Sequence, residues 1–430
     1  ADLAECLRDY NTAIKATSLQ ILCVLAAESG AARHEMRQEE GLMEVLKTVQ
    51  AFPAEDVTPH VLESALEAVS HIVLECRANQ DYIRNVNGLE PLVDVLEHCA
   101  KNKSRPGTAG ANPPTGKTSP RPDALRLAER ACLALSNVVY KNSENQQAAL
   151  ALGAVAQSLA LLKSPAPGGA ERGAVQAAAL SLLVNLADTS EATQDALDDD
   201  EPAGIILGLL TASASAPIVC AACLLLSHVA WSHANNQRRY GTEASIRQLL
   251  ALLSPAGRAA ALGAHSSWGS ERAAGAAAAG GTPTKSNGGA GGDGGDGDEA
   301  PGSGSELTLC AMLALVNLSH QQPAVQALVR VCGGLPLLQA QLASPVYETR
   351  RAASFCLGNL VKGNAANGRE LVSGGGVEAL LRCVNDDDDE LAKTAYSTLS
   401  QLGEPCLLQL LALVDEAVRV WSESRGGGGG

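Results

Sequence analysis

The sequence predicts an all-α array of stacked repeats. A helix-forming segment recurs about every 42 residues once two low-complexity stretches are set aside, the signature of a solenoid. A glycine follows most of these segments at a nearly constant offset. The composition is 46% hydrophobic but only 3% aromatic, rich in Ala, Leu and Gly, which suits close helix packing and disfavours sheets.

The recurring segments are ILCVLA, AVSHIV, ALSNVV, LLVNLA, LLSHVA, ALVNLS, CLGNLV and TLSQLG. One position anchors each: Val24, His71, Asn137, Asn185, His228, Asn317, Asn359 and Gln401. Successive anchors lie 47, 66, 48, 43, 89, 42 and 42 residues apart. Residues 100–123 interrupt one long interval and residues 258–304 the other; without them both shrink to 42. Gly41, Gly88, Gly334 and Gly376 fall 17 residues after their anchors, Gly153 falls 16 after, and Gly204 falls 19 after. Ser245 stands where the remaining full repeat would have its glycine. Glycine there is expected to allow a positive φ or a close approach of helices at a sharp corner.

Within a repeat, ALRLAERACLALSNVVYK places Leu125, Leu127, Ala128, Ala131, Cys132, Leu135, Val138 and Val139 at helical spacing. Asp123 is its expected N-cap, and Arg126 and Glu129 are expected to face solvent. One such amphipathic unit cannot bury its apolar stripe alone, so neighbours must stack.

SNVVYKNSENQQAALALGAV and GNLVKGNAANGRELVSGGGVEALL combine an Asn in a long helix, a polar turn with NxxN or NQ, and a Gly before an apolar helix. In this they resemble the armadillo repeat. The resemblance covers nearly everything outside the inserts and is weakest before Glu40. It implies a right-handed α-solenoid of about seven to eight repeats with two disordered loop inserts. The expected organisation is N-terminal repeats (1–99), a basic insert (100–123), central repeats (124–257), a Gly/Ala-rich insert (258–304), C-terminal repeats (305–425) and a glycine tail (426–430). Neither insert carries enough apolar surface to offset its ordering entropy. Deleting residues 258–304 should therefore leave the fold intact. A chain that starts at Ala1 and ends in five glycines is also expected to be part of a larger or processed protein.

Charge narrows the partners. The chain carries a net −15. The first insert sets five basic residues against Asp123, a net +4, and the second sets three against five acidic ones, a net −2, leaving −17 on the array. Nucleic acid and anionic membranes need a basic footprint, so neither is an expected partner. The longest apolar run, PIVCAACLLLSHVAW, is too short to span a bilayer and reads as a buried helix.

No enzyme chemistry is expected. The twelve cysteines sit in apolar helical segments and read as reduced core thiols; Cys220 and Cys223 form a lone Cys-x-x-Cys without the second pair a structural zinc needs. GANPPTGKTS has five residues between Gly110 and Gly116 instead of the four of a phosphate-binding loop, and carries prolines where a helix should start. GGDGGD, starting at Gly291, is one copy of a calcium motif that works only in stacked turns, and HEMRQ ends in Gln38 where a zinc-peptidase motif needs His. No metal, cofactor or small-molecule substrate is expected. Ser119, Ser164, Ser254 and Thr282 each precede proline and are candidate phosphorylation sites, although such dipeptides are also ordinary turn chemistry.

The resemblance implies that the long helices line a concave groove, with His71, Asn137, Asn185, His228, Asn317, Asn359 and Gln401 in a row along it. An Asn amide offers donors and an acceptor together, so it can clamp a peptide backbone, or else it can bind helix ends of its own array. Four residues before the anchor, import adaptors of this family place Trp; here stand Glu67, Leu133, Ser181, Leu224, Leu313, Phe355 and Ser397, so import of classical basic signals is not implied. Phe355, beside Arg350 and Arg351, makes the repeat of Asn359 a locally basic, aromatic spot and the first place to look for a partner. The expected function is a protein-interaction scaffold that holds an extended segment or helical partner in the groove. Alternatives are the substrate-recognition region of a larger enzyme, such as an armadillo-containing ubiquitin ligase, or a permanent rod in a ciliary or cytoskeletal assembly. The expected location is cytoplasmic, including cytoskeletal or ciliary sites, and not secreted. Replacing Asn317 and Asn359 by Ala should weaken a groove partner by roughly 1–3 kcal/mol and leave thermal stability nearly unchanged.

Overall fold

The structure is a computed structural model that describes residues 2–9, 11–38, 40–52, 57–101, 122–163, 170–210, 215–262, 303–386 and 388–426. Among these residues there are 25 helices and no strand. They fall into two compact units, one holding the described residues up to Ile205 and the other those from Ile206 onward.

Unit 1 opens with α1 (Asp2–Leu7) and continues in triplets of a long, a short and a medium helix. These are α2 (Thr12–Glu28), α3 (Gly30–Gln38) and α4 (Gly41–Gln50), then α5 (Pro59–Val73), α6 (Arg77–Asn85) and α7 (Leu89–Lys101). Next come α8 (Pro122–Val139), α9 (Ser143–Ala151) and α10 (Ala154–Leu162), then α11 (Ala170–Ala187) and α12 (Glu191–Ala196); α13 (Asp200–Gly208) contains the division. Unit 2 repeats the plan with α14 (Ala216–Ala230), α15 (Ala234–Tyr240) and α16 (Glu243–Ala251), followed by α17 (Pro255–Leu262). It goes on through α18 (Ser303–Ser319), α19 (Pro323–Val331), α20 (Gly334–Gln341), α21 (Tyr347–Val361), α22 (Ala365–Ser373) and α23 (Gly376–Val384), and ends in α24 (Asp389–Leu402) and α25 (Glu404–Gly426). The long helices pack in succession, α2–α5–α8–α11 in one unit and α14–α18–α21–α24 in the other. Each buries an apolar stripe, such as Leu66, Val69, Ile72 and Val73 of α5, and each large side chain so buried contributes roughly 1.5–3 kcal/mol.

The corners repeat with the anchors. Four residues after each anchor from His71 to Asn359 the chain turns left-handed, at Glu75, Lys141, Thr189, Ser232, Gln321 and Gly363, with φ between 49° and 69°. The next residue caps the short helix: Asn142 and Asn364 accept from the backbone N–H of Asn145 and Asn367, Ser190 from Thr193, and the His233 ring nitrogen from Asn236. The second corner refines the expectation for the glycines. The left-handed residue is the one 16 after the anchor: Glu40, Asn87, Gly153, Gly333 or Gly375. The glycine 17 after serves close packing instead, since a Cβ on Gly334 would lie 2.6 Å from Val329 and 2.9 Å from Leu250. Gly153 therefore sits one residue early because it takes the left-handed place itself. Gly204 does neither; it lies inside α13 with open space around its Cα.

Helical structure reaches into the edges of both inserts. α7 runs to Lys101 and α8 starts at Pro122, so Asp123 lies in the first turn of α8 instead of capping it. Arg258, placed in the second insert from sequence, lies on α17, and its guanidinium donates to Thr308 Oγ1 (2.9 Å) and the Leu252 carbonyl (3.3 Å). Residues 102–121 and 263–302 lie outside the described residues, and with them Ser119, Thr282, GANPPTGKTS and GGDGGD; so does Ser164. Ser254 is described: its Oγ accepts from the Gly257 N–H at the start of α17, the capping role that a Ser-Pro step favours. No helix among the described residues is long and apolar enough to cross a membrane.

Candidate functional site: the anchor ladder

Every anchor from His71 to Asn359 stands two residues before the end of its long helix, where backbone carbonyls run out of intrahelical partners. Two sets of amides satisfy them. Asn79, Asn145, Asn236 and Asn367, each eight residues after an anchor, donate to the carbonyls of Ile72, Val138, Val229 and Leu360, at 2.8 to 3.1 Å. Gln80, Gln146, Gln237 and Gln326, one residue further, reach into the following repeat and donate to the carbonyls of Asn137, Asn185, Asn317 and Asn359, at 2.8 to 2.9 Å. These Asn and Gln side chains are buried. They form a second polar ladder whose work is structural. The NxxN and NQ pairs in the sequence were its visible trace.

The anchor amides are mostly spent in the same way. Asn137 Nδ2 donates to the Ser70 carbonyl (3.1 Å) and Oγ (2.8 Å). Asn185 makes the same pair of bonds to Ser136, at 3.1 and 2.7 Å, and Asn317 to Ser227, at 2.9 and 2.7 Å. In each case the acceptor is the residue just before the preceding anchor. The bonds bring His71, Asn137 and Asn185 into one contiguous row in unit 1, and His228 and Asn317 into another in unit 2. They also revise the expectation that Asn317 is dispensable for stability: its donor holds α18 to α14. No described residue donates to the Oδ1 atoms of Asn137, Asn185 and Asn317, so each leaves one acceptor free.

Asn359 differs. Its Nδ2 is buried and has no hydrogen-bond partner. The residue before the preceding anchor is Val316 here, which has no hydroxyl, and the Val316 carbonyl accepts from Ser319 Oγ (3.3 Å). Gln401 is exposed, and its Nε2 reaches only Ser397 Oγ of its own helix (3.5 Å). The ladder is stitched at Asn137, Asn185 and Asn317 and unstitched at its C-terminal end.

Around Asn359 the long helix presents Tyr347, Arg351, Phe355 and Asn359 at four-residue spacing, hence on one face. Phe355 is 51% exposed, and Tyr396 of the adjacent α24 is 69% exposed. The neighbouring Glu348 carboxylate pushes the Tyr347 phenol pKa up. Arg350, grouped with Phe355 from sequence, does something else: it pairs with Asp386 (3.0 Å) and donates to the Ser344 carbonyl (3.0 Å). The exposed cation of the row is Arg351.

The equivalent face of unit 1 is charged differently. Glu63 and Glu67 of α5 face Arg126 (3.7 Å) and Arg130 (3.4 Å) of α8. Glu129, expected at the surface, is half-buried among them; burial first, then Glu63 and Glu67, push its carboxyl pKa up against the pull of Arg130. Among the described residues no group of His, Cys, Asp and Glu is arranged to hold a metal ion.

No protein-family model matches the sequence, and no curated protein gives a significant match. Solved structures do. An engineered protein is 18% identical with a TM-score of 0.59, over 96% of this chain and 91% of that one. A second engineered protein is 17% identical with a TM-score of 0.51, over 73% of this chain and all but 2% of its own, the coverage being 98%. A designed armadillo repeat protein is 16% identical with a TM-score of 0.49, over 74% and 99% of the two chains. At such identities the likeness concerns the fold alone. With its three-helix repeats, period and corners, the fold is an all-α stack of repeats.

Proposed function

We propose that the chain is a protein-interaction scaffold that holds an extended segment of a partner protein along the inner faces of its long helices, without catalysing a reaction on it. The observation that carries this reading is the unspent donor of Asn359 in a row with exposed Arg351 and Phe355. A buried donor left unpaired costs about 1–3 kcal/mol. A partner carbonyl met after a rotation of the Asn359 amide recovers that cost. Phe355 and Tyr396 supply the apolar, rigid surface that interface hot spots favour, and Arg351 supplies a cation for a partner carboxylate. The free Oδ1 acceptors of Asn137, Asn185 and Asn317 call for donors, which an extended backbone provides at regular intervals. His71 completes the proposed row of unit 1, and His228 and Gln401 complete that of unit 2. The wealth of unpaired thiols favours a reducing compartment, the cytoplasm, as the place of work.

Cross-linking mass spectrometry on captured complexes tests this. Partner cross-links should map beside α21 and α24, and Phe355→Ala should weaken the complex by about tenfold or more, since hot-spot truncations cost about 2 kcal/mol or above. Cross-links confined to the outer, short-helix side, with Phe355→Ala binding as tightly as the parent, would overturn the reading.

A further inference from the structure

Unit 2 holds a thiol pair that the sequence does not reveal, because its two members are far apart in the chain. The hydrogen bonds from Asn317 Nδ2 to Ser227 fix residue 317 of α18 beside residue 227 of α14. Seven residues back on each helix is two full turns, which returns to the same seam. Those positions are Cys310 and Cys220. That register sets the two thiols against each other across the seam, and Cys310 is the chief cause that raises the Cys220 pKa. Ala314, one turn from both Cys310 and Asn317 on the same side of α18, is fully buried, and its small side chain leaves room for a close approach of the helices. Cys220 is 7% and Cys310 5% exposed, whereas Cys223, one turn along α14, is wholly enclosed.

We propose that Cys220 and Cys310 are a modification site: a hydroperoxide oxidises them to a disulfide that ties α14 to α18. One thiolate attacks the peroxide oxygen, forming a sulfenic acid and releasing water or an alcohol. The second thiol attacks the sulfenic sulfur, the S–S bond forms, and a second water leaves. Two thiols lose two electrons and two protons in all, and the peroxide O–O bond is reduced. The partner thiol in place beside the first favours the cross-link over further oxidation to sulfinic acid.

Cys310 first, then burial, hold the Cys220 thiol well above its ordinary pKa, and Cys223 and Glu306 add to the effect. Little thiolate is present at neutral pH, so the closed seam reacts slowly and a loosened one faster. The chain between Cys220 and Cys310 contains the whole second insert, so this seam has no short covalent connection of its own. The disulfide supplies one. It acts on the stacking of repeats and is independent of what the ladder binds.

The test is treatment of the full chain with hydrogen peroxide, alkylation of remaining thiols, and digestion without reduction for mass spectrometry. The expected result is a Cys220–Cys310 linked peptide as the first disulfide to appear, with two of the twelve thiols lost to alkylation. The link should be absent from Cys310→Ala and from Cys220→Ala, either of which suffices if the other folds poorly. Oxidised protein should melt higher, and dithiothreitol should reverse the shift. Recovery of Cys220 as sulfinic acid with Cys310 still alkylatable would overturn the proposal. So would a Cys220–Cys223 link that forms equally well without Cys310, or twelve thiols still reactive after prolonged peroxide.

Discussion

The seam between α14 and α18 and the seam between α18 and α21 carry the same residue type at the anchor, yet Asn does different work in each. At the first, Asn317 Nδ2 is held by the backbone and side chain of Ser227. At the second, Asn359 Nδ2 meets Val316 and is held by nothing. One residue on the preceding helix decides whether the anchor amide is a staple between repeats or an unspent donor. Unit 1 follows the first pattern at Asn137 and Asn185. An asparagine ladder is therefore not one site: its members divide by the side chain that precedes the neighbouring anchor.

The largest expected effect belongs to neither kind of anchor but to the ladder beneath them. Asn145 donates to the carbonyls of Gln80 (3.0 Å) and Val138 (2.9 Å), and its Oδ1 accepts from Arg84 (2.7 Å), all in a fully buried position. Asn145→Ala strands two buried carbonyls and opens a cavity, so a loss of about 3–4 kcal/mol is expected in chemical denaturation. A loss below about 1 kcal/mol would mean that water replaces the amide, and that the second ladder is not what joins the repeats.

The anchors themselves break or confirm the comparison next. Asn185→Ala and Asn317→Ala should each cost about 1–2 kcal/mol, because a buried interrepeat bond is lost and Ser136 or Ser227 is left unpaired. Asn359→Ala should cost less than about 0.5 kcal/mol, since it removes a donor that bonds nothing. Circular dichroism melts of the three variants decide the matter. Equal losses at Asn317 and Asn359 would erase the distinction.

Much of this organisation was legible in the sequence, for identifiable reasons. The period, the anchors and the insert positions follow from apolar spacing, which packing obliges the chain to keep. The left-handed corner four residues after each anchor was not legible. Glu75, Lys141, Thr189, Ser232 and Gln321 share no residue type, and only Gly363 is the residue a positive φ prefers. The capping and stacking of the flanking helices impose that backbone whatever the side chain. Ser70, Ser136 and Ser227 were in plain view, but their role depends on a register that pairs each anchor with the residue before its predecessor. That register is a fact of packing. Cys220 and Cys310 were missed for the same reason.

The comparison can be sharpened by converting one seam into the other. Val316→Thr keeps most of the buried volume and offers Asn359 the hydroxyl that Ser227 offers Asn317. Stability should stay within about 1 kcal/mol of the parent, the new hydrogen bond offsetting the cost of burying a hydroxyl. In that background Asn359→Ala should become costly, with a coupling of about 1 kcal/mol in a double-mutant cycle. Partner binding should fall in Val316→Thr, because the donor is then occupied. Zero coupling would mean that Val316 is not what leaves Asn359 unpaired.

The smallest expected effect concerns the charged face of unit 1, where the repeats are stitched but Glu129 is poorly solvated. Burial, together with Glu63 and Glu67, raises its pKa, while Arg130 opposes them and Arg126 lies on the same helix face as a neighbour of Glu63. A carboxyl whose folded pKa lies above its unfolded one costs nothing where both states are protonated. The penalty grows as pH rises from the unfolded value through the folded value, and is constant above it. Glu129→Gln removes the charge and keeps the shape. It should therefore raise the stability of unit 1 at neutral pH and leave it unchanged below the ordinary carboxylate range, as followed by denaturant midpoints across pH. A loss of stability at neutral pH would show instead that Glu129 is held as a carboxylate by Arg130, and that this face is a satisfied ion-pair layer like the pairs between Glu63, Glu67 and their arginines.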